Sequence, residues 1–264
     1  MAQDMCMFYT PGEDNCLAWI KIHYDKNNAT TSMISKMLES EVVSVIFATV
    51  DNFEYPDIGK FYGFIEIRKE ELKNLIISIE SQEYIVDVEY DISKNRLIHS
   101  IDFPFTILGG RAIITRALTF VDIIKIIREN VHESEGILVY SGLKGGKHAA
   151  RHVNRHLKVD INNFADILKE LFQAAGWGLL NIEYDHETHE GTITVRDSFV
   201  SDVYQKSEEP VCAYMSGFFS GYLSESLGED IYVKEIKCQS SGHPECEHQI
   251  RAATLLDQQI SINR

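Results

Sequence analysis

The chain has 264 residues, 44% of them hydrophobic, enough for one large domain or two ordinary ones with buried cores. Its formal charge is −15 and aromatic residues run throughout, which excludes a disordered scaffold and disfavours direct binding to nucleic-acid phosphate. The first residues, MAQDMCMFYTPGEDN, lack a basic segment followed by an apolar run, and no stretch of about 18 uncharged apolar residues occurs. A soluble, cytoplasmic protein with no membrane partner is expected.

In chain order, CLAWIKIHY (16–24) is rich in β-formers, and NNATTSMISKMLES (27–40) places Met33, Ile34, Met37 and Leu38 at helical spacing behind Thr/Ser caps. VVSVIFATV (42–50) and FYGFIEI (61–67) read as strands, KEELKNLIISIES (69–81) as an amphipathic helix and EYIVDVEY (83–90) as a strand. The order β-α-β-β-α-β is that of a split βαβ, ferredoxin-like unit over residues 1–95. The pattern resembles the small-molecule-binding ACT family. That resemblance implies either an effector site near the loop 23–32 or a domain that pairs through sheet edges.

The polar stretch 91–100 marks a boundary to a second domain over residues 101–258, a mixed helix and antiparallel-sheet domain that makes the whole chain α+β. Residues 101–117 have strand-like ends around Gly109-Gly110, and 118–132 is helical by the spacing of Val121, Ile124, Ile127 and Val131. EGILVYSGLKGGKHAARHVNRHL (135–157) reads as a helix interrupted near Gly142–Gly146. GLKGGK lacks the GxxxxGK[ST] frame of a phosphate loop, so close helix packing is the expected use of its glycines. His148, His152 and His156 share one helical face among cations, which points to a solvated or ligand-facing stripe rather than a metal site.

A helix is expected at 162–176, then a hairpin of strands 177–185 and 191–199 across the polar HETHE turn. A last long helix spans 208–228, with Gly217 and Gly221 spaced to admit another backbone, and DIYVKEIKC and ECEHQIRAA close the domain as strands.

Five cysteines with no scaffold-like spacing favour metal binding over disulfides, with Cys6 and Cys16 as incidental thiols. The other three fall in the frame C-x22-E-x2-C-x7-C formed by Cys212, Glu235, Cys238 and Cys246. Three thiolates and one carboxylate complete a tetrahedral Zn²⁺ sphere, the composition of a closed structural site. Residues three apart in a strand face opposite sides, so Glu235 and Cys238 meet only if a bulge or strand end falls near Lys237. His243, in the turn before Cys246, is expected as a hydrogen-bond donor behind the ligands or a turn residue.

The stretch PVCAYMSGFFSGYLSESLGEDIYVKEIKCQSSGHPEC, with Pro210-Val211-Cys212, Lys234-Glu235 with Cys238, and Gly242-His243 with Cys246, resembles the core of the 4-vinyl reductase domain family. The resemblance extends upstream through GWGLLNIEY and VRDSF to about residue 101. It implies a dimerising domain related in fold to trafficking-complex subunits. In sensory members of the family a structural zinc braces an apolar pocket for a small aromatic or hydrophobic ligand. Phe199 stands where phenol-sensing relatives carry a tryptophan, so the indole N–H is missing and phenol as a ligand is in doubt. Trp177, Phe218, Phe219 and Tyr222 are further aromatic candidates, each equally suited to plain packing.

Three function classes remain: a zinc-containing small-molecule sensor acting through a homodimer and a protein output partner, a thiol/zinc redox switch, and an enzyme or accessory of tetrapyrrole vinyl reduction. The first is favoured. No GxGxxG fingerprint is present, and a zinc with four protein donors offers no open position, which weighs against catalysis.

Overall fold

The computed structural model describes residues 7–39, 43–52, 55–99, 106–107, 110–157 and 159–254. The chain divides into two compact units, Met1–Pro104 and Phe105–Arg264. Among the described residues no helix is long and apolar enough to cross a membrane.

The first unit runs β1 (Met7–Phe8), β2 (Asn15–Asp25), α1 (Thr31–Leu38), β3 (Val43–Asp51), β4 (Ile58–Arg68), α2 (Lys69–Glu80), β5 (Ile85–Ile92) and β6 (Leu97–Ile98). Its antiparallel sheet has the order β3-β4-β2-β5, so each βαβ crossover is split by a strand from the other half. Alternation in β2 turns Cys16, Ala18, Ile20, Ile22 and Tyr24 to one face, where Ile34 and Leu38 of α1 and Leu72, Ile76 and Ile79 of α2 close a core. Thr30 caps α1 by accepting the Met33 N–H. On the opposite face Leu17 and Phe64 pack with Ile98 of the short β1–β6 ribbon.

The second unit contains β7 (Thr106–Ile107), β8 (Gly110–Arg111), α3 (Ala117–Asn130), α4 (Ser134–His156), α5 (Phe164–Ala174), β9 (Leu179–Asp185), β10 (Glu190–Arg196), α6 (Phe199–Tyr204), α7 (Ala213–Leu227), β11 (Ile231–Lys237) and β12 (Cys246–Ala252). Four strands form an antiparallel sheet in the order β11-β12-β10-β9. Three expectations from sequence need correction. The 135–157 helix is continuous through Gly142–Gly146 instead of interrupted there, and those glycines serve the close packing expected of them. The strand expected to reach 199 ends at Arg196, where Asp197 takes φ 53° and Phe199 opens α6 instead. The last helix begins at Ala213 rather than 208, since Pro210 disfavours helical geometry in the residue before it. The expected 101–117 segment is described as two short paired strands, an irregular stretch over 112–116 and the start of α3 at Ala117; 101–105 and 108–109 lie outside the described residues.

Helix α7 is buried nearly all round, and two adjacent stripes explain how. Gly217 and Gly221 face α4, where an added Cβ would fall 2.0 Å from Val139 O and 2.1 Å from Leu143 O. Gly142 and Gly146 return the arrangement, each 2.0 Å from a carbonyl oxygen of α7, those of Tyr214 and Phe218. Two helices therefore touch backbone to backbone along four glycines. The second stripe, Ser216, Ser220 and Ser224, runs along edge strand β11. Their hydroxyls accept the N–H groups of Glu235 (3.1 Å), Val233 (2.9 Å) and Ile231 (3.0 Å), every second residue of the strand. A sheet edge that would leave its N–H groups open is thereby capped by a helix.

This rail has a measurable worth. Ser220→Ala leaves the Val233 N–H buried without an acceptor and is expected to lower unfolding free energy by about 1–2 kcal/mol in urea denaturation. An unchanged urea midpoint would show that water replaces the hydroxyl.

Candidate metal centre and aromatic cluster

The ligand atoms of Cys212, Glu235, Cys238 and Cys246 lie within 4.8 Å of one another, and all four residues are buried. Three elements deliver them. Cys212 immediately precedes α7, Glu235 sits in β11, Cys238 follows the end of that strand, and Cys246 opens β12. The strand pairing steps from Glu235↔His248 to Lys237↔Glu247, so Ile236 is bulged out and Glu235 and Cys238 come to one side. The segment 239–242 then makes a 3₁₀ turn ending at Gly242, whose φ of 96° suits glycine, and the chain returns to Cys246.

The sulfurs of Cys212 and Cys246 are 3.9 Å apart and those of Cys246 and Cys238 3.8 Å. Glu235 Oε2 accepts the Cys212 N–H at 2.7 Å, whereas Glu235 Oε1 is buried with no hydrogen-bond partner. Gln239 N–H donates to Cys246 Sγ at 3.4 Å, Ser240 Oγ lies 3.0 Å from Cys238 Sγ, and Ser201 Oγ of α6 lies 3.3 Å from Cys246 Sγ.

The electrostatics of this cluster call for a cation. Burial pushes the Glu235 carboxyl up to about 8, and the hydrogen bonds Cys212 shares with Cys238 and Cys246, with burial added, push its thiol well above the usual range. Cys238 goes the other way, held far below the usual thiol range by the hydrogen bonds that Cys212 and Cys246 direct at it. Cys212 and Glu235 thus retain protons beside the Cys238 thiolate in one dry volume, protons that a divalent ion would displace. The orphaned Glu235 Oε1, the sulfur spacings and the mixed S/O donor set all fit Zn²⁺.

His243 does not join this cluster. Its side chain is exposed in the turn, and its described contact is a backbone N–H donated to Cys238 O. The interior histidine is His248, fully buried, with Nδ1 3.0 Å from Ser216 Oγ and its ring 5.1 Å from that of Phe219. Burial pushes its imidazole down to about 3, so it is neutral. Strand alternation was the available signal: Cys246, His248 and Ile250 share the buried face of β12.

The aromatic candidates form a connected set. Trp177 meets Phe218 at 5.1 Å and Phe199 at 5.7 Å between ring centroids, and Phe172 stacks on Phe219 at 5.2 Å. Phe120 of α3 and Tyr214 of α7, not singled out by sequence, join the set. Phe120 lies 5.6 Å from Phe199 and 5.3 Å from Tyr214. Trp177, Phe199, Phe120 and Tyr214 are half-buried, while Phe218 and Phe219 are interior. Tyr222 is fully buried outside this ring network, its backbone N against Gly146, and burial pushes its phenol up to about 12.

In the first unit the loop 23–32 is tied down, with Asp25 accepting from Asn27 N–H and Asn28 Nδ2 and Lys26 Nζ donating to the carbonyls of Asn52 and Tyr55. His23, Asp87 and Glu89 gather on the sheet surface of that unit, but Lys21 already lies 3.1 Å from Glu89, and two of the three are exposed. Of the helical histidines, His148 and His156 are exposed and His152 is half-buried beside Gly110.

A family model for the 4-vinyl reductase domain matches residues 192–252, which hold all four candidate ligands. No curated protein matches the chain. Similar solved structures include the phenol-responsive sensory domain of the transcription activator PoxR with phenol, at 20% identity over 55% of this chain and 78% of that one, TM-score 0.49. A vinyl-4-reductase family protein from Methanocaldococcus jannaschii matches at 19% identity over 55% and 100%, TM-score 0.35. A trafficking protein particle complex subunit 3 from Naegleria fowleri covalently bound to palmitic acid matches at 15% over 52% and 93%, TM-score 0.44.

Proposed function

We propose, for a chain that carries a 4-vinyl reductase domain over residues 192–252, that its second unit is a zinc-braced sensor module for a small hydrophobic or aromatic molecule. The observation that supports this reading is the buried Cys212/Glu235/Cys238/Cys246 set, four donors gathered inside the matched segment. With four protein donors the ion has no vacant position for a water nucleophile, so its role is to hold α7, β11 and β12 together. The aromatic set around Trp177 and Phe199 supplies the apolar, ring-faced surface that such a ligand would contact.

Leu118, Ile123 and Ile126 of α3 are each half-exposed, an apolar outer surface that supports association into a homodimer. Output then passes to a protein partner, in a cytoplasmic setting consistent with reduced thiols. The redox alternative is disfavoured by burial, since all three thiols are closed to solvent and oxidants attack exposed thiolates.

Fluorescence tests the ligand claim. The chain has two tryptophans, so Trp19→Phe leaves Trp177 as reporter of the aromatic cluster. Titration with phenol, toluene and indole is expected to change its emission saturably with one or more of them and return the compound unaltered. A response linear in concentration for all three, or a converted product, contradicts the sensor reading.

A further inference from the structure

The ligand set depends on a serine that donates no ligand atom. Ser216 lies one turn into α7, and its backbone N–H bonds Cys212 O at 3.0 Å, the first hydrogen bond after that ligand. Its hydroxyl oxygen accepts the Glu235 N–H at 3.1 Å, fixing the backbone of the second ligand where β11 enters its bulge. The same hydroxyl lies 3.0 Å from Nδ1 of His248, two residues beyond Cys246 on the same buried face of β12. One side chain therefore joins the three segments that bear Cys212, Glu235 and Cys246.

We infer that Ser216 and His248 form a positioning pair for the metal centre, with Ser216 seating Glu235 against Cys212 and His248 fixing the orientation of the Ser216 hydroxyl. The geometry gives each atom one task. Ser216 Oγ accepts the Glu235 N–H and makes its other hydrogen bond with His248 Nδ1, while Nε2 on the far side of the ring is buried without a partner. The Phe219 ring, T-shaped against the imidazole with centroids 5.1 Å apart, limits its rotation. Seated in this way, Glu235 turns Oε2 to the Cys212 N–H and leaves Oε1 free for the ion. Groups that orient metal ligands from behind in this manner are commonly worth about 10- to 100-fold in metal affinity.

This inference rests on the proposed metal site, and the test separates the two. Zn²⁺ affinity of the full chain is measured by competition with a chromophoric chelator, and Co²⁺ is substituted to read the ligand field from its visible bands. Wild type is compared with Ser216→Ala, His248→Leu, His248→Asn and Ser220→Ala. Ser220 makes the same kind of bond one turn further along the rail, to Val233, which carries no ligand. Ser216→Ala and His248→Leu are expected to lose about 10- to 100-fold in Zn²⁺ affinity and to shift the Co²⁺ bands. A Ser216→Ala/His248→Leu double variant, measured alongside, should lose little more than the worse single one, because the two residues act as a unit. His248→Asn, whose amide can replace Nδ1 as the partner of the Ser216 hydroxyl, should recover most of the loss. Ser220→Ala should bind Zn²⁺ like wild type while being less stable.

If Ser216→Ala and His248→Leu bind as tightly as Ser220→Ala, or if Asn and Leu at 248 are equivalent, the positioning role is wrong although the metal site stands. If wild type itself takes up neither Zn²⁺ nor Co²⁺, the metal site and the inference fall together.

Discussion

Replacing Cys238 by serine is expected to abolish zinc binding and to remove about 4 kcal/mol of stability, the contribution of a ligand held at a thousand times its dissociation constant. The loss follows from position. Cys238 is fully buried beside Cys246 at 3.8 Å and Ser240 at 3.0 Å, and the ion it helps to close would link the start of α7, the end of β11 and the start of β12. Without the ion, Glu235 must take up a proton or remain a buried charge, and the three segments keep only their hydrogen bonds. Urea unfolding with and without a strong chelator checks it. Wild type should fall to the stability of Cys238→Ser when chelated, and Cys238→Ser should be indifferent to the chelator. A variant that binds no zinc yet unfolds like wild type would show that the ion does not brace the fold.

Gly146→Ala is expected to destabilise by about 3 kcal/mol, whereas Gly145→Ala, its immediate neighbour, should be neutral or slightly stabilising. The two positions differ in what a methyl group would meet. At 146 it would lie 2.0 Å from Phe218 O and 2.7 Å from Tyr222 N, atoms of the α7 backbone, so the helices must part along their length. At 145 the nearest atom is Tyr214 Oη at 3.3 Å, the tip of a side chain that can swing aside, and alanine lowers the helix entropy cost by about 0.5–1 kcal/mol. Paired urea denaturation curves measure the contrast. Equal effects at both positions would mean that α4 and α7 do not cross in backbone contact.

The buried Cys212, Glu235, Cys238 and Cys246 cluster was legible in the sequence because three thiols and a carboxylate fall in one frame in which they can meet. The bulge that unites Glu235 with Cys238 was legible for the same reason: a period of two cannot place residues three apart on one side without it. The glycine pair in α7 and the glycines at 142 and 146 both announced a close approach; only the break expected at 142–146 does not occur, because glycine weakens a helix without having to end it. Serine is more ambiguous still. Ser216, Ser220 and Ser224 at four-residue spacing look like any polar face, and only the arrival of edge strand β11 gives the stripe its meaning. Helix α6 escaped notice because ITVRDSFV continues strand-like alternation through Phe199, and the turn at Asp197 has no glycine to mark it. Phe120 and Tyr214 were missed as members of the aromatic set because they come from different helices, a juxtaposition that no local period encodes.

Native mass spectrometry of the freshly purified protein under reducing conditions decides whether the buried cysteine and glutamate set is a metal centre, since it reads metal content, subunit number and retained small molecules together. One zinc ion per chain, held by Cys212, Glu235, Cys238 and Cys246 in a homodimer, is the expected result. A chain that carries no metal although its thiols are reduced would contradict a zinc-braced fold.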